Sequence, residues 1–433
     1  MESVARCSSN DHLVIIGNGM ASHRLIETLV CHTQRPQHIT VIGEESVPAY
    51  NRILLSPLLA GELNPQELTL RGQTWYAEQG ITLRLGEAVI AIHPGARRIT
   101  TTQGELHYDC LVIATGSQPT LPNVPGITLE GVHTFRDLRD AEALAAIAQR
   151  GGDAVVIGGG LLGLEAAEGL RKRAGKALNV SVLQRSERLM NRQLDDTAAN
   201  LLQHTLTERG LNIITHASPT ALEDNGHGYV QAVQLSDGRR LPADSVIIAA
   251  GITPNVDLAR QAGLACDRAI VVDNHLATSH AHIFALGECC QYEQYTYGLV
   301  EPIWRQVEVL AARLCNDTTA GYQEVATATK LKVSGISLYA FGPTHPSPHH
   351  EVLRYHDPGQ GEYRRLLLRD GRIEGAVLYG DTHYGPWYFE QSLAGANIVT
   401  CRQALLFGPA DTQALQEAQA HSEPSTLSTQ EAA

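Results

Sequence analysis

Apolar and polar positions follow one another along this chain in a way that predicts regularly alternating strands and helices. Residues 13–16 form an apolar run of strand length, residues 21–30 have helical apolar spacing, and residues 39–42 form a second apolar run. The same strand, helix and strand order recurs at 154–157, 161–173 and 180–183. One plan used twice therefore predicts an α/β protein with two doubly wound, parallel-sheet parts.

Three further apolar runs end at small residues, where a ligand can approach the backbone closely. Two of them, 111–116 and 246–251, end in Ala-Thr-Gly and Ala-Ala-Gly, and the third, 278–288, ends in Gly287 and Glu288. Residues 297–302 introduce a helix that we expect to run through Leu314.

The last part of the chain has a different pattern. Strand-like runs at 330–333, 364–369 and 375–379 follow one another and lead into a helix, which predicts a C-terminal α+β domain. Residues 410–433 are rich in Gln, Ala, Ser and Thr and poor in large apolar side chains, so we expect a mobile tail.

Each of the two strand–helix units contains a glycine-rich turn. Residues 17–22 read Gly-Asn-Gly-Met-Ala-Ser, and residues 158–163 read Gly-Gly-Gly-Leu-Leu-Gly. The first glycine permits a tight turn, the second lets a diphosphate approach the backbone, and the small third position lets helix and strand pack closely. Two ordinary turns without nucleotides are the alternative, but the context favours two bound dinucleotides, one reducing the other. The candidate residues are Gly17, Gly19, Met20 and Ala21 in the first turn and Gly158, Gly160, Leu162 and Gly163 in the second.

Residues that follow the second strand of each unit are candidates to bind a ribose. Glu44 can accept hydrogen bonds from a ribose diol, although a plain surface carboxylate is the alternative. In the second unit this place is taken by Gln184, followed by Arg185 and later by Arg188. Gln184 can bind a 2′-hydroxyl and the arginines can bind a 2′-phosphate, so both forms of the nucleotide stay open.

Composition and charge limit the function classes. The chain has 433 residues, enough for two or three domains, and 43% of them are hydrophobic. With 33 Lys and Arg against 46 Asp and Glu the net charge is −13, which argues against nucleic acid or an anionic membrane as partner. No apolar run reaches the roughly 20 residues that span a bilayer, and the N-terminus lacks the apolar core of a secretory signal. We therefore expect a cytoplasmic protein.

Cysteine and histidine spacing gives no prediction of a metal site. The eight cysteines contain no Cys-x-x-Cys pair, and we interpret the adjacent Cys289 and Cys290 as free thiols, since a disulfide there requires strained geometry. Their redox activity stays open. Histidines 345, 349, 350 and 356 lie in and after the Pro-rich run 342–348, which predicts a solvated loop.

The ordered set of motifs resembles the two-dinucleotide-binding flavoprotein family, in which FAD occupies one domain and NAD(P)H a second domain inserted into it. The resemblance covers about residues 10–322. Within this family, the chain is most similar to the flavin part of assimilatory NAD(P)H nitrite reductase and to the FAD subunit of bacterial assimilatory nitrate reductase. It is less similar to rubredoxin and ferredoxin reductases. The segments that carry the narrower likeness are 48–56, 192–195, 329–335, 375–382 and 387–389.

The resemblance implies both a domain plan and roles for residues. FAD would occupy 10–118 and 253–322, NAD(P)H would occupy 119–252, residues 325–409 would form an α+β interface domain, and 410–433 a flexible tail. Gly17, Gly19 and Glu44 would hold the adenosine diphosphate half of FAD, Arg52 would neighbour its phosphates or ring, Thr115 and Gly116 would line it, and Glu288 would hold the ribityl chain. Gly158, Gly160 and Gly163 would cradle the nicotinamide nucleotide, with Glu165 toward its nicotinamide end, and Gly251 and Gly287 complete the cofactor-binding set.

Three departures from related proteins matter. The chain stops at Ala433 without a cysteine-rich cluster domain, so we expect no self-contained nitrite reductase unless the chain is a fragment. Residues 50–56 lack the cysteine pair of the disulfide-using relatives, so electrons are expected to leave directly from the flavin. Pro57 stands where rubredoxin and ferredoxin reductases commonly carry a lysine, so no flavin-facing Lys–Glu pair is expected.

The resemblance implies hydride transfer from a reduced nicotinamide to FAD, which requires no acid–base residue from the protein. Electrons would then pass to the catalytic subunit of a molybdenum nitrate reductase or to another iron–sulfur acceptor protein. The likeness favours NADH, with NADPH open. The alternatives are a rubredoxin or ferredoxin reductase and a flavin-dependent redox sensor.

Overall fold

The computed structural model describes residue 8, residues 10–333 and residues 335–420. These form two compact units. The first contains the described residues up to Gly158 together with Ala166–Asn179 and Pro219–Val325, and the second contains Gly159–Glu165, Val180–Ser218 and the described residues from Ala326 onward. Cys7, Ser334 and residues 421–433, on which some predictions fall, lie outside the described residues.

The first two thirds of the chain contain both strands and helices. The N-terminal part contains β1 (His12–Ile16), α1 (Met20–Val30), β2 (His38–Gly43), α2 (Leu55–Leu59), α3 (Pro65–Leu68), α4 (Gln73–Glu78), β3 (Ile81–Leu85), β4 (Val89–His93), β5 (Arg98–Thr101), β6 (Gly104–His107), β7 (Cys110–Ile113) and β8 (Ser117–Pro119). The middle part contains β9 (Val132–Thr134), α5 (Leu138–Arg150), β10 (Gly152–Ile157), α6 (Leu161–Ala174), β11 (Leu178–Leu183), α7 (Asp196–Glu208), β12 (Asn212–Ile214), β13 (Pro219–Asp224), β14 (Val230–Leu235), β15 (Arg240–Pro242) and β16 (Ser245–Ile248).

The remaining elements are mostly strands. They are β17 (Ile252–Pro254), α8 (Asp257–Gln261), β18 (Ile270–Val272), β19 (Ile283–Ala285), β20 (Cys290–Tyr292), β21 (Tyr295–Thr296), α9 (Val300–Leu314), β22 (Thr329–Val333), β23 (Ile336–Phe341), β24 (Glu351–Asp357), β25 (Glu362–Arg369), β26 (Arg372–Tyr379), α10 (Gly385–Leu393) and α11 (Pro409–Ala420). Short 3-10 turns occur at Arg52–Leu54, Pro94–Ala96, Gly175–Ala177, Gly287–Cys289, Val399–Cys401 and Leu405–Phe407.

A five-stranded parallel sheet forms the centre of the first unit. Its strand order is β19-β7-β1-β2-β3. The central strands are continuous apolar runs because both of their faces are buried, and α1 adds Leu25, Ile26 and Leu29 to the same core. Since β19 lies beyond the second glycine-rich turn in sequence, this sheet is built from two chain segments that flank that turn.

A second set of parallel strands contains the second glycine-rich turn. In the first unit β10 pairs with β16 and β16 with β9, all parallel, and in the second unit β11 pairs parallel with β12. The turn 158–163 follows β10 and leads into α6, as the sequence predicts. The predicted fold class, with two Rossmann-like parts and a C-terminal α+β part, is confirmed.

The C-terminal part of the second unit is an antiparallel sheet with the order β22-β23-β26-β25-β24. Its buried residues, among them Leu366, Leu378 and Tyr388 on α10, form one cluster. The structure adds β23 and β24 to the predicted strands. β24 is an edge strand without a fully buried side chain, so its sequence lacks the apolar run that marks the others.

The structure adds detail to two predictions for the C-terminal region. Residues Pro409–Ala420, at the start of the predicted tail, form α11, with Thr412 buried and its hydroxyl donating to the Gly408 carbonyl at 2.7 Å. The solvated-loop interpretation is wrong for two histidines. His356 lies in β24, and the ring of His350 is 2% exposed, with Nδ1 accepting the Ser347 N–H at 2.8 Å. No helix in the described ranges is long and apolar enough to cross a membrane.

Candidate functional site

The first glycine-rich turn is held between the carboxyl ends of β2 and β7. Gly17 has φ +105°, and a Cβ there would lie 2.3 Å from the Ala114 carbonyl oxygen. The Gly17 N–H donates to the Ile42 carbonyl at 2.8 Å. Only glycine is compatible with both the positive φ and this close backbone contact, so glycine is required sterically at the first position of the motif.

Gly19 has the opposite character, because it faces open space. It caps the N-terminus of α1 in an extended conformation, and a Cβ there would meet nothing within 4 Å. The first N–H groups of α1 have no partner within the helix and carry the positive end of its dipole. Ser22, on this first turn, is fully buried, and its Oγ lacks a hydrogen-bond partner within the described part of the chain. Open space in front of unpaired N–H groups fits a diphosphate.

The carboxyl ends of β7 and β19 bring further predicted residues to this place. Gly287 has φ +87°, and a Cβ on it would lie 3.3 Å from Cβ of Ala21 at the start of α1. A Cβ on Gly116, which has φ +66°, would lie 3.8 Å from Oε2 of Glu288. The structure therefore brings the first turn, the end of β7 and the end of β19 together.

Two amide side chains that the sequence did not indicate support these turns. Asn255 donates through Nδ2 to the Thr115 carbonyl at 2.8 Å, and the Thr115 hydroxyl donates to the Asn255 carbonyl at 3.3 Å. The buried Gln306, on α9, accepts the Gly287 N–H at 2.9 Å. Neither residue belongs to a sequence motif, because each is recognised only by its hydrogen bond to a backbone group that lies elsewhere in the chain.

Glu288 does not stand alone in the folded chain. It forms an ion pair with Arg136, and it accepts the Ser117 hydroxyl at 2.7 Å. Arg52 pairs with Glu45 and donates to the Arg136 carbonyl at 3.1 Å. Arg136 is the functional candidate that sequence reasoning missed, since it follows β9 and no local pattern connects it with Glu288.

The predicted ribose-binding residue of the first turn lies at the surface. Glu44 directly follows β2 and is exposed. Its neighbour Gly43 leaves room for the side chain of Asn18, because a Cβ on Gly43 would lie 2.7 Å from Cβ of Asn18. Met20 and Ala21 form the first residues of α1 and are partly exposed.

The second glycine-rich turn repeats the steric pattern of the first. Gly158 has φ +127°, and a Cβ there would lie 2.2 Å from the Ala249 carbonyl oxygen, whereas a Cβ on Gly160 would meet nothing within 4 Å. The first glycine of each turn is thus required by the backbone, and the second faces open space. This repetition supports the interpretation of both turns as diphosphate sites.

Gln184 is engaged within the protein. Its Oε1 accepts the Gly159 N–H at 2.9 Å, and its Nε2 donates to the Arg188 carbonyl at 3.1 Å. Arg188 is buried and pairs with Glu187 at 2.6 Å and with Asp196 at 2.9 Å. Arg185 is the exposed member of the three candidates for the 2′ position.

The other predicted residues of the second turn are placed as follows. Gly163 is buried on α6, while Leu162 and Glu165 on the same helix are partly exposed. Gly251 follows β16 with φ +122°, and its carbonyl accepts the Thr120 N–H at 2.9 Å.

Cys289 and Cys290 are free and fully buried. Burial raises the pKa of both thiols above the ordinary value of 9.0, so the nucleophilic thiolate is disfavoured. These observations agree with the interpretation of the pair as structural thiols.

Comparison with known proteins gives two family matches. Residues 11–309 match the family model described as pyridine nucleotide-disulphide oxidoreductase, and residues 328–391 match the one described as rubredoxin NAD+ reductase C-terminal domain.

The relatives that the chain resembles in sequence are also reductases and electron-transfer proteins. The chain is 36% identical over 403 residues to the nitrite reductase [NAD(P)H] of Bacillus subtilis, covering 93% of this chain and 49% of the relative. It is 38% identical over 371 residues to the assimilatory nitrate reductase electron transfer subunit of the same organism, covering 86% of this chain and 48% of the relative. The chain therefore spans about half the length of these two proteins. It is also 36% identical to the ferredoxin–NAD(+) reductase component of the biphenyl dioxygenase system of Paraburkholderia xenovorans, covering 86% of this chain and 90% of the relative.

Solved structures show the same architecture. The covalent complex of putidaredoxin reductase and putidaredoxin matches with a TM-score of 0.81 at 27% identity, covering 96% of this chain and 100% of the matched chain. NADH:rubredoxin oxidoreductase from Clostridium acetobutylicum shares the fold, with a TM-score of 0.75 at 24% identity over 92% of this chain and 99% of the other.

Proposed function

Because the chain belongs to the pyridine nucleotide-disulphide oxidoreductase family, we propose that its first glycine-rich turn holds FAD and its second holds NAD(P)H. Family membership confirms the resemblance drawn from the motifs. Members of this family depend on FAD and NAD(P)H, and so does this chain. The observation that supports this placement most is the repeated steric pattern of the turns. Gly17 and Gly158 admit no side chain, and Gly19 and Gly160 face open space.

The residues around the first turn fit FAD. The N-terminus of α1 and Gly19 would bind the diphosphate, Glu44 the ribose, and Thr115, Gly116 and Glu288 the rest of the cofactor. Arg136 adds a cation, held in place by Glu288 and by Ser117 at 3.0 Å. When bound, FAD supplies the acceptor for a hydride from the nicotinamide and the donor of single electrons to a partner. The chain's own contribution is to bind and orient the cofactor.

The residues around the second turn favour NADH. A 2′-phosphate needs cationic partners, and Arg188 is buried and already paired with two carboxylates. Arg185 alone of the three candidates is exposed. Only one of the two candidate arginines is therefore available to bind a 2′-phosphate. For this reason we propose NADH as the preferred donor.

We propose a molybdenum nitrate reductase catalytic subunit as the electron acceptor, with the C-terminal domain at 325–409 as its docking surface. The 38% identity to an assimilatory nitrate reductase electron transfer subunit supports this choice. Three large apolar side chains of this region, Leu393, Val399 and Phe407, are more than half exposed and so are accessible to a protein partner.

A small iron–sulfur carrier is the second candidate acceptor. It is favoured by the ferredoxin reductase relative, which this chain matches over 90% of that protein's length. The two candidates differ in the acceptor alone, so one set of measurements separates them.

The experiment uses the flavin-loaded protein. Rapid mixing with NADH should bleach the flavin band near ~450 nm within milliseconds, at a rate typical of enzymes. Slow bleaching would instead favour a redox sensor. The reduced protein is then mixed with a nitrate reductase catalytic subunit, a ferredoxin or a rubredoxin. A nitrate reductase complex that forms without passing electrons would remove the leading proposal, and reoxidation by ferredoxin or rubredoxin alone would establish the alternative.

A further inference from the structure

The loop that follows β11, residues 184–195, is bonded to the second glycine-rich turn on both sides of Gly159. The Gly159 N–H donates to Oε1 of Gln184 at 2.9 Å, and the Gly159 carbonyl accepts the Met190 N–H at 3.0 Å. A Cβ on Gly159 would lie 2.6 Å from Cδ2 of Leu189, so turn and loop are also in close contact. A displacement of this loop therefore moves the backbone of the turn.

The loop is braced internally by Arg188. Its carbonyl accepts Nε2 of Gln184 at 3.1 Å, and its Nε donates to the Leu194 carbonyl at 3.2 Å. Since Arg188 is buried, these contacts exchange little with water and connect the two ends of the loop. The position of Gln184 thus depends on the position of Leu194 and its neighbour Asp195.

The far end of the loop is held by the C-terminal sheet. Asp195, which is 7% exposed, accepts the hydroxyl of Tyr363 at 2.7 Å and forms an ion pair with Arg365 at 3.2 Å. Arg365 is 1% exposed and donates to the carbonyls of Thr344 at 2.6 Å and Pro343 at 3.0 Å. A buried charge is tolerated only when it is paired and hydrogen-bonded, so this arrangement fixes Asp195 firmly.

We propose that the C-terminal sheet is part of the nicotinamide nucleotide site, with Tyr363 and Arg365 acting as positioning residues. By holding Asp195, they hold the 184–195 loop, and the loop holds the turn at Gly159 in the conformation that receives the diphosphate. This inference rests on the proposed function of the second turn. It assigns the C-terminal domain a role in nucleotide binding in addition to docking.

The structure offers a matched pair of variants. Tyr363 on β25 and Tyr379 on β26 lie directly opposite each other in the sheet, and both are buried. The Tyr379 hydroxyl contacts Oγ1 of Thr205 at 2.9 Å, on α7 and outside the loop. Tyr363→Phe and Tyr379→Phe each remove one hydroxyl, but only the first loosens Asp195. The ion pair of Asp195 with Arg365 remains in both variants, so both should fold.

The test measures NADH binding and turnover in the flavin-loaded wild type and both variants. Tyr363→Phe should raise KM for NADH, and the Kd for NAD+ measured by calorimetry, about three- to tenfold at unchanged kcat and FAD content. Tyr379→Phe should leave all four quantities within about twofold of the wild type. Hydrogen exchange gives a readout independent of activity, since peptides from 184–195 should exchange faster in Tyr363→Phe only.

The inference is overturned if Tyr363→Phe binds the nucleotide like the wild type, or if Tyr379→Phe weakens binding equally. If Tyr363→Phe binds the nucleotide like the wild type while NADH still reduces the FAD of the wild type, only this inference is overturned and the proposed function stands. A wild type that takes up FAD but is not reduced by NADH would overturn both.

Discussion

Alanine at Gly19 should separate cofactor binding from folding at the first glycine-rich turn. Gly19 has φ −93° and ψ −171°, which any residue adopts, and its Cβ would meet nothing within 4 Å. Losing glycine at the helix cap costs about 0.5 kcal/mol, and reduced freedom of the unfolded chain returns about 0.4–1 kcal/mol. The free energy of unfolding without FAD should therefore change by less than about 0.5 kcal/mol.

Alanine at Gly17 should have the reverse effect. The positive φ costs about 1–2 kcal/mol for a residue with a side chain. The added Cβ would also lie 2.3 Å from the Ala114 carbonyl oxygen, so the ends of β1 and β7 must move apart. We expect the free energy of unfolding to fall by at least about 3 kcal/mol.

The assay compares urea unfolding of the flavin-free variants with FAD titrations followed by fluorescence. Gly19→Ala should keep the urea midpoint of the wild type, while its new methyl group, standing where the diphosphate approaches, should weaken FAD binding about 30-fold, equivalent to about 2 kcal/mol. Gly160→Ala is the matched control, since it places the same methyl group in the second turn and should leave FAD binding unchanged. Wild-type FAD affinity in Gly19→Ala, or a wild-type midpoint in Gly17→Ala, would refute the reasoning.

Three other predictions follow from burial and pairing. Iodoacetamide should modify the exposed Cys31 in the native protein but neither Cys289 nor Cys290, as mapped by peptide mass spectrometry. This labelling should not slow the reduction of the flavin by NADH. Rapid labelling of Cys289 and Cys290 with loss of flavin reduction would indicate a redox role for the pair. Burial lowers the pKa of His23 below its ordinary 6.5, so the unfolded chain binds protons more readily, and the free energy of unfolding should fall as the pH drops below about 6.5. His23→Asn should reduce this dependence in urea titrations between about pH 7.5 and 5.5, and identical slopes would contradict the assignment. Because Arg188 is already paired, kcat/KM should be higher with NADH than with NADPH, and about a tenfold preference for NADPH would exclude that explanation.

Local patterns in the sequence were sufficient to predict the parallel sheets and the two turns. Strands buried on both faces must be apolar throughout, so β1, β7 and β10 are visible as continuous runs. Gly17 and Gly158 are visible because only glycine adopts their backbone conformation. Such features depend on the residue itself and its immediate neighbours.

Contacts between distant segments were decided by the tertiary structure alone. The pair of Arg136 with Glu288 and the hold of Tyr363 on Asp195 join residues far apart in sequence, and no local pattern selects one partner among many possible ones. The engagement of Gln184 by Gly159 likewise arises only when the loop folds back on the turn. The sequence by itself thus determined the buried parallel strands and the position of the two glycine-rich turns, because backbone conformation and burial are local requirements. Which polar side chains remain available to a ligand was settled only by packing, since a buried polar group takes whatever partner the fold places beside it.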